Sequence, residues 1–134
     1  MIRTLATLAC LAGSAAGAFA QGLNPLDEAV AEALNEAEEG TGAVLRGLDK
    51  VNAEVTDLEI ASGAAARFGR LSVSLRECRY PTGNPAGDAY AFVTISDTSS
   101  GAQLFAGWMI ASSPALDALE HPRYDIWVLR CTTE

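Results

Sequence analysis

The chain has 134 residues, which is enough for one domain of ordinary size. Apolar residues make up 49% of the chain and charged residues 19%, a composition typical of a folded rather than a disordered protein. Nine basic residues against 17 acidic ones give a net charge of −8. This balance argues against a nucleic-acid partner, because binding to phosphates requires a surplus of Lys and Arg.

The first 20 residues are typical of a secretory signal peptide. Arg3 supplies a positive charge, residues 5–11 are apolar, and Ala18-Phe19-Ala20 forms a small-residue cleavage site before Gln21. A retained membrane-spanning helix is the disfavoured alternative, because Gly and Ser interrupt the apolar stretch. We therefore expect an exported, periplasmic protein without a membrane span after cleavage.

Cleavage would remove Cys10 and leave Cys78 and Cys131 as the two cysteines of the mature chain. Two cysteines in an oxidising compartment predict one disulfide bond. The bond would close a loop of about 50 residues, worth on the order of 4 kcal/mol in the chain-entropy model. Two reduced and separately buried thiols are the alternative.

Residues 21–42 form an acidic leader segment. Asn24 and Pro25 predict the start of a helix and Gly40 its end. Apolar residues recur at helical spacing between them, at Leu26, Val30, Ala33, Leu34 and Ala37. The segment also holds six acids and no base, namely Asp27, Glu28, Glu32, Glu36, Glu38 and Glu39. We expect a short amphipathic helix docked loosely before the domain, with a partner-binding helix as the alternative.

Residues 43–134 are predicted to form a single β-rich domain. Alternating apolar and polar residues predict strands at 44–48, 55–60, 71–76, 90–96, 104–110 and 124–131. A short helix is predicted at 115–120, capped by Ser113 and broken at Pro122. The pattern indicates a small antiparallel β-sandwich or barrel, mainly β, with a short helical insert and an N-terminal amphipathic helix. The predicted core residues are Phe92, Trp108, Leu116, Leu119 and Trp127.

Three stretches carry a family resemblance. They are VLRGLDK at 44–50, RFGRL at 67–71 and FAGWMIASSPALDALEHPRYDIWVL at 105–129. Over about residues 43–131 the chain resembles the domain of unknown function 2155 family, exported proteins found mainly in alphaproteobacteria. The resemblance implies export, one compact domain, and family cysteines at the positions of Cys78 and Cys131. It implies no established activity.

His121 is the only histidine of the chain, and Asp117, Glu120 and Asp125 lie close to it in sequence. A histidine beside carboxylates can act as a general acid or base. However, no sequence motif places a Ser or Cys nucleophile near it, and zinc sites usually draw on more His or Cys. We therefore expect a histidine at a helix terminus, with no catalytic residue, metal or cofactor.

Four arginines lie within 13 residues, at Arg67, Arg70, Arg76 and Arg79. Guanidinium groups bind carboxylate or phosphate in a bidentate manner, so this strip is a candidate anion site. Pairing with the protein's own acids is the alternative. Trp108 could line a sugar- or peptide-binding surface, although strand aromatics more often belong to the core. With His121, these five residues complete the candidate ligand-binding set.

Few side chains of this sequence are suited to catalysis, which favours a binding role. We expect a non-enzymatic periplasmic accessory protein that contacts another envelope protein through an edge strand or the leader helix. Binding of a small anionic ligand or a glycan through the Arg67–Arg79 strip is the first alternative. An enzyme that uses His121 is the second.

Overall fold

The computed structural model describes residues 25–134. The predicted signal peptide and its cleavage site before Gln21 lie outside these residues. The elements follow in chain order as α1(Pro25–Asn35), β1(Ala37–Glu39), β2(Gly42–Asp49), β3(Glu54–Ala61), β4(Ala65–Phe68), β5(Leu71–Pro81), β6(Tyr90–Asp97), β7(Gln103–Ile110) and β8(Tyr124–Thr132).

The strands form two antiparallel sheets that face each other. Sheet A has the order β1-β5-β6-β7, and β4 pairs with the other half of β5 on the same side as β1. Sheet B has the order β3-β2-β8. The predicted mainly β fold is confirmed. Of the two predicted architectures, sandwich and barrel, the structure has the sandwich.

The core lies between the two sheets and follows the predicted alternation. Apolar side chains at every second position of the central strands are buried there, because successive side chains of a strand point to opposite faces. They include Leu71, Val73 and Leu75 of β5, Ala91, Val93 and Ile95 of β6, Ala43 and Leu45 of β2, and Ile126 and Val128 of β8.

Each cysteine-bearing strand contains a bulge just before its cysteine. In β5 the register shifts between Leu75 and Glu77, so that Arg76 has no direct partner on β6. In β8, Val128 and Arg130 face adjacent residues of β2, so that Leu129 is the extra residue. An extra residue reverses the alternation. Each bulge therefore turns the cysteine that follows it toward the core.

Cys78 and Cys131 are joined by a disulfide bond, with their Cα atoms 5.6 Å apart. The bond connects β5 of sheet A to β8 of sheet B, so it crosslinks the two layers of the sandwich. Gly40 lies against it, where the chain passes from sheet A to sheet B. A Cβ atom at Gly40 would lie 2.6 Å from the carbonyl oxygen of Thr132 and 3.2 Å from the Cβ atom of Cys131. Only glycine fits this crossing.

The predicted helix at 115–120 is wrong. Residues 111–123 form an irregular connection in which the N–H of Ser113 donates to Ile110 and that of Leu116 donates to Ser113. The segment between Ser113 and Pro122 is too short to offset the cost of starting a helix. As predicted, Leu119 is buried, but Leu116 is 43% exposed and does not belong to the core.

Three further predictions of core residues are also wrong. Phe92, Trp108 and Trp127 are only partly buried and lie on the outer faces of the sheets. Phe92 follows the inward-facing Ala91, and Trp108 is its direct partner on β7. Trp127 lies between the buried Ile126 and Val128 on β8. These three aromatics therefore lie on the outside of the sandwich, whereas Phe68 and Tyr124 belong to its otherwise mainly aliphatic core.

The leader segment forms the predicted helix, but the helix ends at Asn35 rather than at Gly40. Residues 37–39 instead form β1, which pairs with the end of β5. Two hydrogen bonds from Thr82 to the carbonyl of Glu36 hold the junction between helix and strand. No helix within residues 25–134 is long and apolar enough to cross a membrane.

Candidate functional site: the open edge of β7

Strand β7 forms one edge of sheet A. Its sequence, QLFAGWMI, contains no charged residue and no proline. Native proteins usually protect an edge strand with charges, proline or a covering element, because the unpaired backbone groups can bind another strand. An uncharged edge of eight residues is therefore the most open position for pairing in the described part of the chain.

The ladder between β6 and β7 shows which backbone groups of β7 are free. Ala111 donates its N–H to Ala89, one step beyond the last pair of the register. In an antiparallel ladder hydrogen-bonded pairs alternate with non-hydrogen-bonded ones. Ala106, Trp108 and Ile110 therefore direct their N–H and C=O groups away from β6. Within residues 25–134 the single hydrogen bond to this free edge is donated by Ser113 to the Ile110 carbonyl.

The other edges differ from β7. Strand β3 carries Glu54, Asp57 and Glu59 along its length. Strands β1 and β4 are only three and four residues long. Strand β8 carries Asp125 and Arg130, and the connection at 114–119 lies beside it. Charge or short length thus limits pairing at each of these edges, whereas the 111–123 connection lies beside both β8 and β7.

A groove of about 390 Å³ lies beside the free edge, between α1, β7 and the 111–123 connection. Trp108 and Ile110 contribute one wall, and the partly buried side of α1 contributes the other. The lining consists of Asp27, Val30, Ala31, Leu34, Gly107, Trp108, Ile110, Leu116 and Asp117. The groove is mainly apolar and could hold a side chain of a segment that pairs with β7.

The carboxylate of Asp117 lies against the backbone of β7. A Cβ atom at Gly107 would approach its Oδ2 atom to 2.5 Å, so the absence of a side chain at Gly107 allows the contact. Although the residue is exposed, partial desolvation of its carboxyl group raises the pKa of Asp117 above its usual value. Sequence analysis had grouped Asp117 with His121, and the structure assigns it to the groove instead.

Two of the four arginines in the candidate strip lie on the outer face of sheet A beside Trp108. The guanidinium carbon of Arg76 lies 4.2 Å from the ring centre of Phe92 and 6.0 Å from that of Trp108. Glu77 forms ion pairs with both Arg76 (3.6 Å) and Arg79 (3.3 Å). Two arginines of the strip thus pair with an acid of the same chain, as the alternative interpretation predicted.

The other two arginines are not part of this cluster. Arg67 is exposed on the short strand β4, opposite Ser72. Arg70 lies in the turn between β4 and β5 and donates a hydrogen bond to the hydroxyl of Ser99, at 2.8 Å. The four arginines therefore do not form one anion site.

His121 has a structural role at the start of β8. Its Nδ1 atom accepts hydrogen bonds from the backbone N–H groups of Arg123 (3.0 Å) and Tyr124 (3.2 Å). The imidazole ring also packs against the ring of Tyr124, with 5.1 Å between the centres. The histidine was expected at a helix terminus; it instead stabilises the bend that leads into β8.

Two of the three acids near His121 in sequence have other surroundings. Asp117 lines the groove, and Asp125 forms an ion pair with Lys50 at 3.3 Å. Among the described residues, no group of three or more His, Cys, Asp or Glu side chains is arranged to hold a metal ion.

Of the candidate ligand-binding residues, Trp108 alone lines the groove, and the sequence pattern did not indicate the edge of β7 as a site. A usable signal was present, since the predicted strand at 104–110 is one of two predicted strands without a charged residue, the other being the aromatic strand at 90–96. What the sequence could not provide was the position of β7 at an edge, which depends on strand order. Nor could it place Val30 and Leu34 of α1 beside Trp108.

The fold and the site define a class: a small disulfide-crosslinked β-sandwich with one open, uncharged edge. The chain belongs to the bacterial family described as "Uncharacterized protein conserved in bacteria (DUF2155)", whose model matches residues 43–131. The family resemblance noted in the sequence is thereby confirmed.

A relative from Rickettsia prowazekii (strain Madrid E), "Uncharacterized protein RP359", is similar to this chain. The two are 29% identical over 94 residues, a stretch that covers 68% of this chain and 61% of the relative. The match therefore spans less than two thirds of the relative's length. No solved structure matches the chain significantly.

Proposed function

We propose that this protein is a non-enzymatic accessory protein of the cell envelope. After export to the periplasm it binds another envelope protein by accepting an extended segment of that partner as an additional strand beside β7. The observation that carries this proposal is the open edge of β7, uncharged over its whole length and flanked by an apolar groove.

Strand addition uses interactions that this edge offers. The free N–H and C=O groups of Ala106 and Trp108 can bond to any extended backbone, which supplies affinity. Pockets for alternate side chains supply specificity in this mode of binding. The groove at Trp108 and Leu116 is such a pocket, because it opens beside the free edge.

A proline on the edge tests this proposal. Proline removes one N–H donor and is tolerated on an edge strand when that N–H points away from the sheet. Ala106→Pro should therefore preserve the fold and abolish pairing with a partner. Val55→Pro on β3 is the matched control, because Val55 lies on the outer strand of sheet B and is 58% exposed.

The measurement is capture from envelope extract by the wild-type chain and both variants, followed by mass spectrometry. Thermal unfolding of each variant verifies that it is folded. We expect envelope proteins that are captured by the wild type and by Val55→Pro but are lost with Ala106→Pro. If folded Ala106→Pro retains the same proteins, binding does not occur at β7 and the proposal is wrong.

The two alternative functions have less support. Anion or glycan binding through the arginine strip would require free guanidinium groups, whereas Glu77 pairs with both Arg76 and Arg79. Catalysis by His121 has no partner in its favour within residues 25–134, because an acid that orients the imidazole would have to contact its ring. Its Nδ1 instead accepts two backbone hydrogen bonds, and Asp125 pairs with Lys50.

A further inference from the structure

The groove beside β7 is apolar along its walls and acidic at two points. Trp108, Ile110 and Leu116 provide much of the apolar surface. Asp27 of α1 and Asp117 of the 111–123 connection contribute carboxylates, and the described lining contains no basic side chain. The guanidinium group of Arg76 lies outside the lining, 6.0 Å from the ring centre of Trp108, and pairs with Glu77. A segment that lies along β7 therefore meets apolar surface and negative charge together.

Asp117 differs from other carboxylates of the chain whose pKa is shifted. Hydrogen bonds from Arg123 and Arg46 lower the pKa values of Asp49 and Asp57, respectively. Burial alone raises the pKa of Asp117, and no hydrogen bond or ion pair to it is formed within residues 25–134. A partly desolvated carboxylate of this kind is stabilised by an approaching ammonium or guanidinium group.

Charge also disfavours a second copy of this chain as the occupant. The chain carries a net charge of −8. Pairing of β7 with its own copy would add a second set of groove carboxylates and no groove cation, and like charges oppose association. A partner segment with the opposite charge fits the groove better.

We infer that the segment added to β7 carries a Lys or Arg that forms an ion pair with Asp117, next to an apolar side chain that fills the groove at Trp108. This inference rests on the proposed function, because it specifies the chemistry of the segment that β7 accepts. Asp27, on the opposite side of the groove, increases the preference for a cation.

Two synthetic peptides serve as probes of this preference. Both are acetylated and amidated and share the β-forming core Thr-Val-Thr-Ile-Thr-Val, flanked by Lys at both ends in one and by Glu at both ends in the other. Titration by calorimetry should show the Lys peptide binding at least about tenfold more tightly, equivalent to about 1.4 kcal/mol. Higher salt should reduce this difference, because exposed charges are screened.

Asp117→Asn and Asp125→Asn form a matched pair of variants. Both remove one negative charge, but Asp125 lies on β8 and pairs with Lys50. Asp117→Asn should bring the two peptides to nearly equal affinity, whereas Asp125→Asn should preserve the preference. Asp117 is exposed, and its replacement removes no hydrogen bond or ion pair formed within residues 25–134. Asp117→Asn should therefore be at least as stable as the wild type.

Hydrogen exchange at Ala106, Trp108 and Ile110 separates the failure of this inference from that of the proposed function. If both peptides protect these amides but the Glu peptide binds as tightly, strand addition stands and the charge inference is wrong. If neither peptide protects them, the proposed function is wrong as well. If the chain alone forms a dimer that protects them, a second copy occupies the edge and the inference is wrong.

Discussion

Leu116 and Leu119 lie three residues apart in the connection between β7 and β8, in very different surroundings. Leu119 is 5% exposed and belongs to the core, whereas Leu116 is 43% exposed at the groove. Leu119→Ala should lower the free energy of unfolding by about 2–4 kcal/mol, because it removes buried methyl groups and leaves a cavity. Leu116→Ala should lower it by less than about 1 kcal/mol. Urea denaturation of both variants measures the difference, and equal losses would contradict this assignment.

Asp97 holds the turn between β6 and β7. Its Oδ1 atom accepts hydrogen bonds from the hydroxyl of Ser99 at 2.6 Å and from the backbone N–H groups of Ser99 (2.8 Å) and Ser100 (3.0 Å). These bonds, the one from the Ser99 hydroxyl above all, lower the pKa of Asp97 from 3.8 to about 2. The ionised carboxylate therefore stabilises the folded state.

The sign of this shift predicts a pH dependence. A carboxyl whose pKa is lower in the folded than in the unfolded state adds stability above the unfolded value, and that stability is lost as the pH falls through the folded value. Asp97→Asn should thus lower the Tm at pH 7, and this effect should shrink as the pH falls from 3.8 through about 2. Thermal unfolding across this range tests the prediction, and a Tm difference independent of pH would contradict it.

Among the elements, strand β5 shows how far the sequence could predict the structure. The alternation of Leu71, Val73 and Leu75 predicted a strand with one buried face, and this is confirmed. The bulge at Arg76 has no comparable signal, because a bulge depends on pairing with β6. As a result, Cys78 faces inward although the alternation before it predicts an outward position.

The two shortest strands, β1 and β4, could not be predicted for a related reason. Three or four residues are too few to show a period of two, and both strands exist because β5 is long enough to pair with both. The open edge of β7 depends in the same way on strand order. Local patterns therefore predicted the long strands, whereas the candidate site arises from contacts between distant parts of the chain.

Helix α1 is the element that the sandwich should need least. Most of its side chains that the structure describes are exposed, and Val30, Ala33 and Leu34 are only partly buried. A chain that begins at Glu36 retains the carbonyl bonded to Thr82. We expect this chain to lose less than about 2 kcal/mol of stability, in keeping with the limited apolar area that is removed.

Removal of α1 should nevertheless weaken peptide binding, because the helix provides one wall of the groove. Circular dichroism, urea denaturation and peptide titration of the truncated chain measure both effects. Loss of cooperative unfolding would show that α1 belongs to the folding core, contrary to this prediction.

At the scale of the whole molecule, the disulfide bond connects the two sheets across 53 residues of sequence. Replacing both cysteines, Cys78→Ala with Cys131→Ala, should lower the free energy of unfolding by about 2–5 kcal/mol, as is typical for the loss of a disulfide bond from a small domain. Urea denaturation of the variant and of the wild type, with and without reductant, measures the loss. Reductant should affect only the wild type, and an unchanged midpoint in the variant would contradict a stabilising role for the bond.

The two bulges give that bond a further significance. Each cysteine reaches the interior only when the strand that carries it has formed its bulge, one in sheet A and the other in sheet B. A strand that pairs one residue out of step directs its thiol to solvent, away from the other cysteine. Formation of the disulfide bond therefore requires the native strand register in both sheets. A chain whose strands are out of register in either sheet should thus retain reactive thiols under oxidising conditions.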